Sequence, residues 1–204
     1  MTRRRRPREV DAVLLWPGAG SAADHPSLVH LADGLGPLPV VRRDFPYRLA
    51  GRRAPDRAPV LVEAVRTAVA EVCAELGTTP GRLVLGGRSM GGRICSMVVA
   101  GEGGDPLPVA GLVLLAYPLH PPGRPDRLRT AHLPDVRVPT LFVSGDRDPF
   151  GTPDELAAAQ ALVRGPVTSV TVAGARHELA RCDDAVLAAV RRWLPRASPG
   201  TAGP

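Results

Sequence analysis

The chain has 204 residues, of which 44% are hydrophobic and 23% are charged, and its formal net charge is +6. This length and composition suit a single globular domain and exclude a wholly disordered chain. The sequence holds no run of about 18 apolar residues, which excludes a transmembrane helix.

The positive charge is carried by arginine alone, because the sequence contains no lysine. Arginines are concentrated near the start, and we expect residues 1–9 to form a basic flexible arm. The apolar segment that follows, Val10–Trp16, contains Asp11 and stops at Pro17, so it is too short for a signal peptide. These features predict a cytoplasmic protein. An aromatic content of only 3% argues against nucleic acid as a partner of the arm.

Short apolar segments alternate with longer amphipathic ones along the chain. The predicted strands are Val10–Trp16, Pro39–Arg43, Arg82–Gly86, Gly111–Ala116, Pro139–Ser144 and Val167–Val172. The predicted helices are Pro26–Gly36, Pro59–Leu76, Ser89–Ala100, Asp154–Val163 and Asp183–Leu194. Residues 46–59 are rich in arginine and proline and are predicted to form a loop, and residues 195–204 a flexible tail.

This alternation predicts an α/β domain over residues 10–194. The strands are nearly all apolar, as expected of strands that are covered on both faces. We therefore predict an open, mostly parallel sheet of about six strands with helices on both faces. Sheets of this kind place their chemistry at the carboxyl ends of the strands. The residues that follow each strand are thus the candidates for function.

A serine follows the third predicted strand, within Gly87-Arg88-Ser89-Met90-Gly91. The pattern G-x-S-x-G between a strand and a helix presents a serine hydroxyl on a tight turn, where the flanking glycines let the backbone crowd. A glycine-rich phosphate loop or a plain turn would also fit the bare pattern. The strand before it and the helix after it favour a nucleophilic serine.

An acid and a base follow two later strands. Asp146 and Asp148 come after the fifth strand, and His177 comes directly after the sixth. His132 also lies between Ser89 and the C-terminus and could complete a site with the serine. A serine, an aspartate and a histidine thus follow three strands in the chain order of a Ser-Asp-His triad.

With these motifs the chain resembles the α/β-hydrolase superfamily over about residues 10–194. In that superfamily the acid is typically the last residue of G-x-x-D, which implies Asp148, with Asp146 as the fallback. Asp148 also precedes Pro149, which restricts its backbone to extended geometry. The resemblance further implies an oxyanion hole made by the backbone N–H groups of Ala19 and Met90. Here Pro17 stands where the family usually carries a histidine, which removes a side chain that braces this loop.

The resemblance is to a compact, lidless branch of the superfamily. Only residues 119–138 separate two core strands, so no cap domain fits. The segments PGAGS, YPLHPPG and GDRDPFGTP are similar to those of dienelactone-hydrolase-like proteins, a branch whose eukaryotic relatives include scaffolds of chromatin complexes.

The function that this resemblance implies is a serine hydrolase of a carboxylic ester or thioester, acting through an acyl-enzyme. The expected substrate is a small acyl compound, and neither a membrane, a metal nor an organic cofactor is expected. A peptidase with the same triad and a non-catalytic scaffold are the alternatives, and nothing in the sequence indicates the oligomeric state. Arg88 is expected either to pair with an acidic substrate group or to form a salt bridge with a neighbouring loop.

Overall fold

A computed structural model of the chain describes residues 10–194, and the predicted basic arm and tail lie outside these residues. The strands are β1 (Ala12–Trp16), β2 (Val40–Arg42), β3 (Leu83–Arg88), β4 (Gly111–Leu115), β5 (Thr140–Gly145) and β6 (Val167–Val172). The helices are α1 (Pro26–Gly34), α2 (Pro46–Leu49), α3 (Ala58–Leu76), α4 (Met90–Ala100), α5 (Pro153–Gln160) and α6 (Asp183–Trp193).

The six strands form one parallel sheet in the order β2-β1-β3-β4-β5-β6. The predicted fold class is therefore confirmed. The chain moves outward from β1 to β2 and then returns to place β3 on the other side of β1. In open α/β sheets such a reversal leaves a crevice at the carboxyl ends of the two central strands. Here that crevice lies above Trp16 and Gly87, which are partners in the register of β1 and β3.

The helices cover both faces of the sheet and divide the apolar residues into two cores. One core joins α3, α4 and α5 to one face, with Val65, Ile94 and Leu156 among its buried residues. The other joins α1 and α6 to the opposite face, where Leu31 and Val190 are buried. Adjacent strand residues alternate between the two cores, as the pleat of a strand requires. Burying each such aliphatic side chain stabilises the fold by about 1.5–3 kcal/mol.

The strands differ in burial according to their place in the sheet. Every residue of β1, β4 and β5 is buried, as are the first five residues of β3. The expectation of strands covered on both faces is wrong for β6, whose residues are exposed or half-buried. Its sequence, VTSVTV, carries the polar residues Thr168, Ser169 and Thr171, and it lies at the edge of the sheet. An edge strand with polar side chains is less prone to pair with another chain.

Residues 46–59 are not entirely a loop as predicted, since they contain the short helix α2. Pro46 is its first residue, a position where the missing N–H costs nothing. The helix buries Tyr47 completely. The longest helix, α3, ends as predicted at Gly77, which adopts the left-handed conformation at φ 60° and ψ 34°.

No cap domain covers the carboxyl end of the sheet within residues 10–194. The connection from β4 to β5 contains a single turn of 3₁₀ helix, Leu133–Asp135, and otherwise lacks regular structure. None of the described helices is both long and apolar enough to cross a membrane.

Gly87 should be indispensable to the contact between β1 and β3. A Cβ atom at this position would lie 2.4 Å from the Trp16 carbonyl oxygen and 2.9 Å from the Gly91 carbonyl carbon, both backbone atoms. We expect Gly87→Ala to lower the free energy of unfolding by about 1–3 kcal/mol or more, measured by equilibrium urea denaturation. Gly20→Ala is the matched control, because nothing lies within 4 Å of a Cβ there. Equal stability of the two variants would contradict this account of the β1–β3 contact.

Candidate active site

Four connections meet above the carboxyl end of the sheet and carry the predicted site residues. Ser89 follows β3, Asp148 follows β5 and His177 follows β6. Ala19 lies in the connection after β1. The parallel sheet therefore brings together residues that are far apart in sequence.

Ser89 has a strained backbone conformation, with φ 51° and ψ −118°. A positive φ is uncommon for a residue with a side chain and costs on the order of 1–3 kcal/mol, so the surroundings must enforce it. The Ser89 N–H donates to the Leu115 carbonyl at 2.8 Å, and the Ser89 carbonyl accepts from the Arg93 N–H at 3.1 Å. Ser89 is also the N-cap of α4. These constraints hold the hydroxyl out of the sheet and into the crevice.

The backbone carbonyl of Trp16 leaves no space for a side chain at either glycine of the G-x-S-x-G motif. A Cβ on Gly87 or on Gly91 would lie 2.4 Å from the Trp16 oxygen. On Gly91 it would also lie 2.6 Å from the Pro17 oxygen. The chain leaving β1 thus rests directly on the first turn of α4, and a Cβ on Gly18 would lie 3.5 Å from Ser89 Cβ.

Ser89, His177 and Asp148 form a continuous chain of hydrogen bonds. His177 Nε2 lies 2.8 Å from Ser89 Oγ. His177 Nδ1 lies 2.9 Å from Asp148 Oδ2 and 3.0 Å from its Oδ1. If Nδ1 donates to the carboxylate, Nε2 is left without a proton and accepts from the serine hydroxyl. This is the tautomer that a base beside a nucleophile requires.

The carboxylate of Asp148 is buried and fully engaged. Its residue is 3% exposed, and Oδ1 also accepts the Phe150 N–H at 2.8 Å. Asp146, the fallback acid, is exposed and does not meet the histidine; its Oδ1 accepts the Gly174 N–H at 2.7 Å and so ties β5 to the turn after β6. The structure therefore brings Asp148, and not Asp146, to His177.

Phe150 is a site residue that the sequence analysis missed. Its ring stacks on the imidazole of His177, with centroids 4.0 Å apart and an angle of 27° between the planes. The aromatic ring covers one face of the imidazole and fixes its orientation. The only signal in the sequence is an aromatic residue directly after Asp148-Pro149, and that pattern does not indicate a ring contact across the site.

Ala19 and Met90, the two predicted oxyanion-hole residues, line the same pocket as Ser89. Met90 is the first residue of α4, and an N–H at this position has no acceptor within its own helix. The Ala19 carbonyl accepts the Tyr47 hydroxyl at 2.8 Å, while Gly18 O accepts the Ser21 N–H at 3.1 Å. Tyr47 braces this loop from α2, although Pro17 provides no side-chain donor. The sequence analysis missed Tyr47 because it lies 28 residues from Ala19.

Three other histidines, His25, His120 and His132, lie outside the chain of hydrogen bonds that contains Ser89. His132 Nε2 lies 2.7 Å from Ser96 Oγ, and burial together with the charge of Arg93 lowers the pKa of His132 to about 4. His120 is buried and contacts Glu155 and the Pro121 carbonyl. His25 lines the pocket, where burial, and to a lesser extent the charge of Arg88, lowers its pKa. Of the two histidines considered for the triad, only His177 reaches Ser89.

The pocket around Ser89 has a volume of about 710 Å³. Its charged lining residues are Arg88, Arg93, Arg129, Glu178 and Asp183, together with the histidines His25 and His177. Burial lowers the pKa of Arg88, while the nearby carboxylates of Glu178, Asp148 and Asp183 oppose that shift. Neither Arg88 nor any other pocket arginine forms a salt bridge with a carboxylate among residues 10–194. That part of the chain also contains no group of three or more His, Cys, Asp and Glu side chains arranged to hold a metal ion.

Solved structures with the same fold come from several bacteria. An α/β serine hydrolase homologue from Coxiella burnetii is 21% identical, with a TM-score of 0.70 over 90% of this chain and 86% of that one. A serine hydrolase without a lid from Xanthomonas campestris is 22% identical, with a TM-score of 0.66 over 95% and 88%. Dienelactone hydrolase from Anabaena variabilis is 20% identical, with a TM-score of 0.70 over 92% and 87%.

At these identities the structural neighbours establish the fold. The family model for the α/β hydrolase domain matches residues 9–188, which is most of the chain. The resemblance drawn from the motifs is therefore confirmed at the level of the superfamily. The chain belongs to the α/β hydrolase domain family.

Proposed function

We propose that the protein is a serine hydrolase that cleaves a carboxylic ester or thioester, with Ser89 as nucleophile, His177 as base and Asp148 as the orienting acid. The observation that carries the proposal is the unbroken chain of contacts from Ser89 Oγ through His177 to Asp148, at 2.8 Å and 2.9 Å. Family membership supports hydrolysis, and an open pocket around the serine supports a small acyl substrate.

In the first half of the reaction Ser89 Oγ attacks the carbonyl carbon of the substrate. His177 Nε2 accepts the hydroxyl proton as the bond forms, and the ionised Asp148 stabilises the resulting imidazolium. The tetrahedral intermediate then collapses, its bond to the leaving oxygen or sulfur breaks, and His177 returns the proton to that atom. The products of this half are a free alcohol or thiol and an acyl group on Ser89.

In the second half water attacks the acyl-enzyme. His177 removes a proton from the water, and the bond between Ser89 Oγ and the acyl carbon breaks. His177 then protonates Ser89, which releases the carboxylic acid and restores the starting state. No redox step is involved, and water is the only co-reactant.

The oxyanion of both tetrahedral intermediates is proposed to lie between the N–H groups of Ala19 and Met90. Loss of one such donor typically reduces the rate by about 10²–10³-fold, so the position of the Ala19 loop matters. Tyr47 is a positioning residue in this scheme, because its hydroxyl holds the carbonyl of Ala19 and thereby the loop that carries the N–H.

Labelling with a fluorophosphonate tests the nucleophile without knowledge of the substrate. Phosphonylation needs an activated hydroxyl, so we expect stoichiometric labelling at Ser89, detected by intact-protein and peptide mass spectrometry. Ser89→Ala should abolish labelling and reduce hydrolysis of 4-nitrophenyl acetate by at least roughly 10³-fold.

The stability of Ser89→Ala, measured by thermal unfolding, should remain within about 1 kcal/mol of the original protein, which separates loss of chemistry from loss of fold. A folded protein that is not labelled would favour a non-catalytic scaffold. Labelling at a different serine would refute the assignment of the nucleophile.

Asp148 should be the acid that orients His177. An amide in its place presents an N–H group to the imidazole and favours the wrong tautomer, which in a comparable triad reduces turnover on the order of 10⁴-fold. We expect a loss of that order in kcat for Asp148→Asn on an activated ester. Asp146→Asn is the matched control and should retain most of the activity, because Asp146 contacts only the turn at Gly174. The opposite ranking would transfer the role to Asp146.

Tyr47→Phe should lower kcat more than it changes KM. The substitution keeps the buried ring and removes only the hydroxyl that bonds Ala19 O, so its effect should be felt where the oxyanion develops. We expect a fall in kcat of roughly tenfold on a neutral ester. Tyr117→Phe loses a buried bond of the same kind, from Tyr117 Oη to Arg129 O at 2.6 Å, and should show the smaller fall in kcat. Equal effects on kcat would reduce Tyr47 to a structural role.

A further inference from the structure

Three arginines, Arg88, Arg93 and Arg129, line the pocket beside Ser89 but take no part in the proposed acyl transfer. Arg93 and Arg129 both contribute to the pocket wall, along with Met90 and Pro118. Arg93 lies four residues after Ser89, so the two residues emerge from the same side of the first turn of α4. Both residues line the same pocket.

Arg129 comes to the same wall from the connection between β4 and β5. Its backbone N–H donates to the Leu119 carbonyl at 2.8 Å. Its side-chain Nη1 donates to the Pro118 carbonyl at 3.2 Å. The residue is half-buried. These contacts fix the guanidinium against the pocket and leave most of its N–H donors for another acceptor.

The two guanidinium groups are close enough to affect each other. Burial, and to a lesser extent the charge of Arg93, lowers the pKa of Arg129. Within residues 10–194 neither arginine forms a salt bridge with a carboxylate. Arg93 Nε is in addition a buried donor without a hydrogen-bond partner in that part of the chain. A pair of like charges with an unpaired buried donor is unfavourable unless an anion joins it.

The acidic residues of the pocket act on a different arginine. Glu178 and Asp183 are the two carboxylates of the lining other than the triad, and both oppose the lowering of the Arg88 pKa. The positive charge at Arg88 is therefore partly balanced by neighbouring acids, although Arg88 forms no salt bridge with a carboxylate among residues 10–194, contrary to the second of its two expectations. Arg93 and Arg129 line the same pocket and have no carboxylate partner among residues 10–194.

We infer that Arg93 and Arg129 form an anion subsite, so that the preferred substrate is an ester or thioester carrying a negatively charged oxyanion group. Carboxylate and phosphate share the chemistry that a guanidinium fork recognises, with two acceptors matched to two N–H donors. The inference rests on the proposed function for the bond that is cleaved and adds the charge of the molecule that contains it.

The test compares charged and neutral esters in matched pairs. The first pair, 4-acetoxybenzoate and its methyl ester, carries the charge on the leaving group; the second, 4-nitrophenyl hydrogen adipate and its methyl ester, carries it on the acyl group. A third compound, 4-acetoxyphenyl phosphate, distinguishes phosphate from carboxylate recognition. Each kcat/KM is divided by the rate of spontaneous hydrolysis. We expect a preference of roughly tenfold or more for the charged member of at least one pair.

Removing either arginine should remove the preference. In Arg93→Gln and Arg129→Gln the charged-to-neutral ratio is expected to fall by roughly tenfold, and the ratio cancels any general loss of activity. Arg127→Gln is the matched control, because Arg127 is exposed on the same connection and lies outside the pocket lining. The same fall in Arg127→Gln, or no preference for any charged ester in the original protein, would overturn the subsite.

Binding to an inactive variant separates this inference from the proposed function. Calorimetric titration of folded Ser89→Ala with 4-hydroxybenzoate and with phenyl phosphate measures anion binding without turnover. Binding that weakens when Arg93→Gln is added would uphold the subsite even if no ester were hydrolysed. Hydrolysis of neutral esters without anion preference or binding would uphold the hydrolase and overturn the subsite.

Discussion

The contact on which the site depends is the close approach of the Trp16 carbonyl to the turn that carries Ser89. Side chains at Gly87 and Gly91 would both collide with this oxygen, so the two glycines are a steric requirement as well as a means to bend the chain. Because the carbonyl fits between them, the connection after β1 crosses over the start of α4. One backbone group therefore sets the distance between Ser89 and the loop that carries Ala19.

Contacts within the buried sheet stabilise the strained backbone conformation of Ser89. The central strands β1, β3, β4 and β5 are buried almost throughout, and helices pack on both of their faces. A backbone conformation that costs on the order of 1–3 kcal/mol persists only where surrounding contacts determine it. The Leu115 carbonyl, at the end of the neighbouring strand β4, supplies one such contact. The same arrangement limits movement of the serine relative to His177.

The sequence carried most of the information about the fold and the triad, since both depend on local patterns. Apolar runs marked the strands, and Ser89, Asp148 and His177 each lie within five residues of the end of one of them. Tyr47 and Phe150 could not be predicted in this way, because their roles arise from contacts between segments that are distant in sequence. Helix α2 was missed for a related reason. Its four residues are too few to show a helical period, and it is held by the burial of one side chain, Tyr47.

Asp146 and Asp148 lie in the same turn but make different contacts. Both aspartates follow β5, and a carboxylate near a turn usually accepts a local backbone N–H. Asp146 does this at Gly174 and remains exposed. Asp148 accepts the local N–H of Phe150 with one oxygen, is 3% exposed and also contacts His177. A buried carboxylate needs hydrogen-bond partners, and here one of these partners is His177. The electrostatic requirement of the acid and the orientation of the histidine are thus met by one contact.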